Sequence, residues 1–175
     1  MRLGHRIERD KRLSTHVGLS SALFNVENWY YSGEHDEHLE ESISSVAKRW
    51  GAPTKVVFLE SPYKFIRHYS GTTVHLTMYG APHKEVITEL REENLNRVLI
   101  IVGGPKVPGH VYGDVDYNCA VGYFPHSEVS ALAIFLYELL GDEIIYAKDP
   151  NAEMKLQGGE KGWGKKQKRR GLKSN

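Results

Sequence analysis

The sequence predicts an α/β fold: a mostly parallel sheet with helices on both faces. Strand patterns and helical periodicities alternate along most of the 175 residues, which favours strand–helix–strand units. The clearest strand is the consecutive apolar run at 98–102, a pattern typical of a parallel strand buried on both faces. Glycine-containing loops follow three of the predicted strands, and ligands bind at such strand ends in parallel sheets.

The first half of the chain contains three predicted strands and three predicted helices. A strand at 1–4 precedes a cation-rich loop at 4–12, and Ser14 or Thr15 is expected to cap a helix that runs to about Asn25. The other strands are predicted at 26–31 and 55–59, and the other helices at about 36–50 and at 62–69. Gly51 is expected to end the second helix.

The second half continues the alternation. Strands are predicted at 72–78, 97–102 and 116–121, with the last of these as the final strand. A helix is expected from Pro82 to about Asn94, and a helical turn at 111–112. The last helix runs to Leu140, and Ser127 with Ser130 or Glu128 indicates a capped start. Its apolar residues at helical spacing predict a wide buried face: Leu132, Phe135, Leu136, Leu139 and Leu140.

The charge distribution changes abruptly at residue 160. All 22 acidic residues lie at or before Glu160, whereas seven of the 23 basic residues follow it. We therefore expect the chain to end in a basic, disordered tail. Such a tail favours contact with nucleic acid, and Trp163 could stack on a base. A tail that only aids solubility is the alternative.

Composition argues against several classes of protein. No apolar run is long enough to span a membrane, and no signal-peptide core follows the N-terminal arginines, so we expect a cytoplasmic protein without a membrane partner. The single cysteine, Cys119, cannot form an internal disulfide. The nine histidines are scattered without the spacing of a zinc site, and no metal is predicted.

The loops after the strands lack the motifs of common enzyme classes. The glycines at 103 and 104 do not fit a P-loop, and no GxGxxG follows a strand. A hydrolase built on Ser127, His126 and Asp116 is disfavoured because no GxSxG elbow exists. A backbone-lined pocket for an adenosine-type ligand remains, with four apolar residues around the base: Leu76, Met78, Val107 and Val129.

Four blocks of the sequence carry a further signal. The first comprises residues 2–6, 9–12 and 15–16, and the others are 74–80, 102–108 and 125–136. Together these blocks resemble the archaeal tRNA (cytidine-56) 2′-O-ribose methyltransferases of the SPOUT superfamily. The resemblance implies a deep trefoil knot near the C-terminus, a pocket for S-adenosylmethionine, a tRNA substrate and a homodimer. It does not extend beyond about residue 145, so we expect one domain at 1–145 and an extension at 146–175. That family usually has Ala-Glu where Gly104 and Pro105 stand here, which puts a side-chain acceptor from this loop in doubt.

The resemblance also implies site residues. The cofactor-binding residues carried over lie in three loops: Leu76; Gly103, Gly104, Pro105, Lys106 and Val107; and Val121, Gly122, Tyr123, Phe124, Pro125, His126, Ser127 and Glu128. An arginine near the N-terminal loop is expected to act on the ribose hydroxyl. Arg12 is the first candidate, with Arg9 and His16 as alternatives. An arginine normally stays protonated, so an electrostatic role is the more conservative assignment.

The remaining cations of the N-terminal block have a different predicted role. Arg2, Arg6 and Lys11 are expected to grip tRNA phosphates. A solvated basic loop is the alternative for the whole block. A non-catalytic RNA-binding protein that uses the tail and the N-terminal arginines is the alternative function. An ordinary doubly wound nucleotide-dependent enzyme is a third, although its phosphate loop is missing.

Overall fold

A six-stranded parallel sheet forms the centre of the molecule. The computed structural model describes residues 1–93, 97–104, 106–147, 149–157 and 164–168. The strand order is β3-β2-β1-β5-β4-β6, and every neighbouring pair is parallel. The strands are β1 (Arg2–His5), β2 (Asn28–Gly33), β3 (Lys55–Phe58), β4 (Thr72–Pro82), β5 (Val98–Gly103) and β6 (Tyr117–Ala120). The predicted parallel α/β fold is therefore confirmed.

The helices form two layers. They are α1 (Ile7–Leu23), α2 (Glu37–Trp50), α3 (Pro62–Arg67), α4 (His83–Glu92), α5 (Val111–Asp114), α6 (Glu128–Leu140) and α7 (Glu143–Tyr146). Two separate apolar clusters flank the sheet: one includes residues of α1, α2, α4 and α6, and the other includes residues of α3 and α5. Alternate residues of β5 enter opposite clusters, Leu99 one and Val102 the other, which confirms that both faces of the sheet are covered.

Helix α1 begins earlier than predicted. The expected loop at 4–12 is wrong, as is the expected cap at Ser14 or Thr15, because the helix starts at Ile7. The Ile7 N–H donates to Glu34 Oε2 at 2.7 Å, so a residue of another segment satisfies the helix start. The buried face also carries Ser14, Gly18 and Ser21, which weakens the apolar periodicity.

Three other predicted boundaries differ. Strand β4 continues to Pro82, so α4 begins at His83. Strand β6 is not the last strand, because β7 (Met154–Gln157) and β8 (Lys165–Lys168) form an antiparallel hairpin within the predicted extension. Residues 169–175 and Trp163 lie outside the described part of the chain.

The capping predictions for α2 and α6 are confirmed. Gly51 ends α2 in the left-handed conformation, with φ of 76°. The Ser127 side chain accepts a hydrogen bond from the Val129 N–H and caps α6. Leu132, Phe135 and Leu136 are buried as predicted, and they hold α6 against the sheet. The prediction for Leu140 is wrong, because this last residue of α6 is 46% exposed.

Candidate active site

A cavity of about 490 Å³ opens beyond the carboxyl ends of β4 and β5, beside the start of α6; we call it the first cavity. It collects residues from all three loops singled out by the sequence. The predicted cofactor-binding residues that line it are Leu76, Gly103, Gly104, Val107, Val121, Pro125, His126, Ser127 and Glu128. Its volume lies within the range of about 300–1,000 Å³ that is usual for small-molecule sites.

Other predicted cofactor-binding residues lie elsewhere. Gly122, Tyr123 and Phe124 do not line this cavity, and the two aromatic side chains are 67% and 81% exposed. The segment before α6 turns these rings to solvent and faces the cavity only from Pro125 onward. Lys106 lines a neighbouring cavity instead. Pro105 lies outside the described residues.

Several lining residues were missed by the assignment from sequence: Leu13, His75, Thr77, Tyr79, Val102, Tyr112 and Ala131. Most have a signal in the sequence, because 74–80 and 102–108 are two of the four matching blocks. Met78 was expected near the base and does line the cavity, whereas Val129 does not. Leu13 could not be placed, because its segment was not predicted to be helical.

Hydrogen bonds among the missed residues fix part of the cavity wall. His75 Nδ1 lies 3.1 Å from Asn118 Oδ1, and Asn118 Nδ2 donates to the Tyr112 carbonyl at 2.8 Å. Thr77 Oγ1 lies 3.2 Å from the Tyr112 hydroxyl. Burial lowers the pKa of His75. These contacts tie β4 to β6 and α5, so this wall is built before any ligand arrives.

A second cavity of about 270 Å³ adjoins the first. Gly104 and Val107 line both cavities, so the loop after β5 forms a wall between them. The second cavity carries three exposed cations, Arg6, Arg9 and Lys106, and one exposed carboxylate, Glu34. This arrangement suits a polyanion on the outer side and a ligand with both apolar and polar parts on the inner side.

A charge network lies beneath the shared wall. Arg2 is fully buried, and its Nε donates to Glu128 Oε2 at 3.0 Å while its Nη2 lies 3.4 Å from Asp10 Oδ2. The prediction that Arg2 grips tRNA phosphates is therefore wrong, because the guanidinium is enclosed and paired with carboxylates. Arg9 donates to both oxygens of Asp10, at 2.6 Å and 2.7 Å. The network thus joins β1, α1 and α6.

The protonation states within this network differ sharply. Hydrogen bonds from Arg9, aided by the charge of Arg2, lower the pKa of Asp10 to about 2. The same contact raises the pKa of Arg9. Burial raises the pKa of Glu128, and Arg2 opposes that rise. Asp10 is therefore a fixed anion and Arg9 a fixed cation, whereas Glu128 is the more basic carboxylate.

The three catalytic candidates occupy successive turns of α1. Arg9 lines the second cavity, and its side chain is 48% exposed. Arg12 and His16 are exposed farther along the helix and line neither cavity. Within the described chain, Arg9 rather than Arg12 is therefore the candidate placed at the site. Its raised pKa suits an electrostatic role and opposes a role as proton acceptor.

The rejected hydrolase arrangement is also absent from the geometry. Ser127 Oγ caps α6, and His126 Nδ1 donates to the Phe124 carbonyl at 2.6 Å. Asp116 accepts hydrogen bonds from Thr73 and does not line the cavity. No nucleophile–base–acid chain connects these residues.

The described residues form neither a membrane-spanning helix nor a cluster of metal ligands. None of the helices in the described chain is both long and apolar enough to cross a lipid bilayer. No three histidine, cysteine, aspartate or glutamate side chains among the described residues cluster as metal ligands would. Independence from metal remains a prediction.

Comparison with known proteins identifies the family. A family profile described as "tRNA ribose 2′-O-methyltransferase, aTrm56" matches residues 50–166. The tRNA (cytidine(56)-2′-O)-methyltransferase of Thermococcus kodakarensis is 43% identical over 93% of this chain and 92% of its own length. That of Methanopyrus kandleri is 44% identical over the same shares. The chain belongs to the aTrm56 family. The resemblance stated from the four sequence blocks is confirmed.

Solved structures agree on the fold. The SpoU methyltransferase AviRb from Streptomyces viridochromogenes, solved in complex with AdoMet, superimposes with a TM-score of 0.55 at 15% identity. A Porphyromonas gingivalis protein assigned to the TrmH family of RNA methyltransferases superimposes with a TM-score of 0.59 at 13% sequence identity. Each alignment covers 79% of this chain, which spans 55% and 57% of those two structures. At this identity the similarity shows a SPOUT-type α/β fold alone.

Proposed function

We propose that this protein transfers a methyl group from S-adenosylmethionine to the ribose 2′-hydroxyl of cytidine 56 in tRNA. Membership of the aTrm56 family supports the reaction. The observation that carries the proposal is the pair of adjoining cavities that share Gly104 and Val107, one largely apolar at the strand ends and one lined by cations. A methyl donor in the first and a nucleotide in the second would meet at this wall.

The first cavity fits an S-adenosylmethionine molecule by its wall chemistry. Leu76, Val107 and Val121 offer apolar surface for an adenine ring. A methyl group at Gly103 would collide with the Val107 side chain. Glycine at position 103 therefore allows the loop after β5 to fold back so that Val107 packs against its first residue. The bound cofactor supplies an electrophilic methyl group on a sulfonium. The residues of this chain hold and orient it, which is the larger part of catalysis for such a reactive donor.

The second cavity supports binding of the nucleotide backbone. Arg6, Arg9 and Lys106 give it positive charge, and Asp10 holds the Arg9 guanidinium by two hydrogen bonds. We assign phosphate binding and stabilisation of the developing alkoxide to Arg9, because a prepositioned cation needs little reorganisation. Arg12 and His16, farther along α1, would contact tRNA outside the two cavities.

The proposal is tested by methyl transfer from labelled cofactor to an unmodified tRNA transcript. Wild-type protein should label a transcript with cytidine at position 56, and a 2′-deoxy substitution at that ribose should abolish labelling. Arg9→Ala should slow transfer by about 100-fold or more, whereas Arg12→Ala should act mainly on tRNA affinity. A larger loss of the transfer step in Arg12→Ala would reverse these roles. Binding of tRNA without any cofactor affinity in calorimetry would favour the non-catalytic RNA-binding alternative.

We also propose that the protein is a homodimer. Its support is an exposed apolar stripe on α6, where Ile134, Tyr137 and Leu140 are 44–47% exposed, beside a groove that includes Leu136 and Leu139. An exposed stripe of this kind marks an interaction surface.

We further propose that the chain forms a deep trefoil knot near its C-terminus. Strand β4 lies between β5 and β6, and α6 packs on α1 after the chain has passed β6, an arrangement that supports a trefoil knot. Stretching the chain from both ends in optical tweezers should then give an extension shorter than 175 unknotted residues allow.

We assign 1–145 to the catalytic domain and 146–175 to an extension, and we place the protein in the cytoplasm with its tRNA substrate.

A further inference from the structure

We propose that Glu128 is the catalytic base, and that its Oε1 atom accepts the proton of the ribose 2′-hydroxyl. This inference rests on the proposed function and adds a role for a residue that was assigned only to cofactor binding. It also separates two roles that the sequence left together in one arginine: the cation is Arg9, and the proton acceptor is a carboxylate on α6.

Glu128 lies beside the wall that separates the two cavities. The residue lines the first cavity at the shared wall, and its side chain is 13% exposed. A methyl group at Gly104 would lie 3.5 Å from Glu128 Oε1 and 3.8 Å from Arg9 Nη2. Gly104 therefore lies between a carboxylate oxygen and a guanidinium, with no side chain of its own to separate them. A hydroxyl group brought to this wall would find an acceptor and a cation together.

The two oxygens of Glu128 have different surroundings. Oε2 accepts from Arg2 Nε at 3.0 Å, which fixes the orientation of the carboxylate. Among the described residues, no hydrogen bond to Oε1 is found, and this is the oxygen that faces Gly104. One oxygen is thus anchored and the other is available, which is the arrangement that a general base requires.

The neighbouring titratable groups are less suitable. Both oxygens of Asp10 accept from Arg9, and its pKa of about 2 makes it a weak base. Arg9 is protonated and paired. His75 is buried and bonded to Asn118. His126 shares the cavity, with Nδ1 engaged by the Phe124 carbonyl, and its other nitrogen makes it a competitor that the test must separate.

Charged groups from two elements tune Glu128. Burial raises its pKa, which strengthens it as a base, and Arg2 on β1 opposes the rise so that the carboxylate can ionise. Arg9 also favours the ionised form, whereas Asp10, its neighbour on α1, favours the protonated form. Loss of the proton from Glu128 with rising pH should therefore switch methyl transfer on.

The proposed step balances as a proton transfer coupled to displacement. The hydroxyl O–H bond breaks, the proton passes to Glu128 Oε1, and the electron pair remains on the 2′-oxygen. This oxygen forms the new bond to the methyl carbon while the carbon–sulfur bond breaks and its electron pair stays on sulfur. Glu128 then releases the proton to water, which restores the carboxylate.

The test compares Glu128→Gln with wild type in single-turnover methyl transfer across pH. Glutamine keeps the size of the side chain and an oxygen acceptor but is not a base. We expect the rate to fall by about 100- to 10,000-fold. We also expect the acidic limb of the wild-type pH profile, where the rate rises with pH, to disappear. Loss of the Arg2 ion pair alone would alter stability or cofactor affinity and would leave that limb in place.

Two control variants sharpen the comparison. Glu138→Gln removes an exposed carboxylate from the same helix and should keep both the rate and the limb. His126→Gln removes the competing base and should keep the limb, whatever its effect on the rate. Disappearance of the limb in His126→Gln, with its retention in Glu128→Gln, would transfer the role to His126 and overturn the proposal.

Two measurements do not depend on turnover. Calorimetry should give Glu128→Gln a cofactor affinity within about 10-fold of wild type, since only one hydrogen bond changes its charge. Carbon-13 NMR of the carboxyl groups should show Glu128 titrating above an ordinary glutamate in the free protein; titration at or below that range overturns the proposal. If wild type labels tRNA and Glu128→Gln matches its rate and profile, this inference fails while the function stands. If wild type labels no tRNA, both fail.

Discussion

His5 lies at the centre of a buried hydrogen-bonded chain that ties β1 to two helices. Its Nδ1 lies 2.7 Å from Ser14 Oγ on α1, and its Nε2 lies 3.2 Å from Asp36 Oδ2 at the start of α2. An ionised Asp36 can only accept, so the His5 Nε2–H donates to it and Nδ1 accepts the Ser14 proton. Burial lowers the pKa of His5 and keeps the ring neutral. Burial opposes ionisation of Asp36, but hydrogen bonds from Leu39 and His5 prevail and lower its pKa.

This neutral histidine predicts a loss of stability in mild acid. Because the pKa of His5 is lower in the folded chain, the unfolded chain takes up the proton first as pH falls below about 6.5. Between pH 7 and pH 5, His5 should therefore cost up to about 2 kcal/mol of unfolding free energy. His5→Gln should be less stable at pH 7 but less sensitive to pH, as measured by urea unfolding at both values.

The exposed His38 provides the control for this measurement. His38→Gln should keep the full wild-type dependence on pH. Part of the dependence of the unfolding free energy on pH should survive in His5→Gln, because burial also lowers the pKa of His75. An unchanged slope in His5→Gln would show that His5 is not the group responsible.

Gly104 is the second residue whose role can be measured directly. Its missing side chain leaves the wall between Glu128 and Arg9 open, and the two branches of valine would fill that space. Gly104→Val should weaken cofactor binding by at least about 10-fold, in line with an overpacking cost of about 1–3 kcal/mol. Calorimetry with S-adenosylmethionine measures the effect.

Gly109 offers a matched control in the same loop region. A methyl group there would meet nothing within 4 Å, so Gly109→Val should bind the cofactor almost as wild type does. An exposed lysine changed to alanine should also have a smaller effect than Gly104→Val. Normal affinity in Gly104→Val would mean that the wall is not part of the cofactor site.

At the scale of elements, α2 shows how a helix end supports the extension. Gly51 ends α2 in the left-handed region, and a methyl group there would lie 2.6 Å from Asp149 Cβ and 2.9 Å from Ala152 Cβ. The end of α2 is therefore also the surface on which residues 149–152 pack. The side chain of Lys166 on β8 lies over the Trp50 ring at 5.9 Å, a second contact with the same end.

This double role predicts that asparagine cannot replace Gly51, although asparagine tolerates the left-handed region. Gly51→Ala should lose about 1–3 kcal/mol of unfolding free energy through strain and collision. Gly51→Asn should also lose stability because its Cβ meets the same atoms. Urea unfolding measures both variants. Wild-type stability in Gly51→Asn would show that stability depends on the backbone angle at position 51 alone. Residues 149–152 would then be able to move aside for a side chain at no cost in stability.

At the scale of the whole molecule, the apolar stripe on α6 predicts the oligomeric state. Ile134→Lys combined with Tyr137→Lys should convert a dimer into a folded monomer, because two charges would have to be buried at the interface. Sedimentation velocity distinguishes the two states. Thr88→Lys adds a charge to an exposed position on α4 and should leave the dimer intact. A wild-type monomer would contradict the proposal of a dimer.

The sequence by itself determined the features that repeat locally. Alternating strands and helices indicated the parallel sheet, the apolar run at 98–102 located β5, and Gly51 and Ser127 marked helix ends. Each of these signals depends on residues within one or two turns of one another. The four matching blocks indicated the family, and the three predicted cofactor-binding loops supplied nine of the residues that line the first cavity.

Only the tertiary structure decided which side chains meet. Helix α1 begins at Ile7 because Glu34, 27 residues away, satisfies its first N–H. Arg2 is buried because its guanidinium reaches Glu128, 126 residues along the chain, and this contact turns a predicted phosphate ligand into the anchor of a carboxylate. Local periodicity carries no information about contacts at such separations, since they exist only after the sheet has brought β1 beside β5 and α6 over α1. The roles that we propose for Arg9 and Glu128 at the shared wall depend on that assembly.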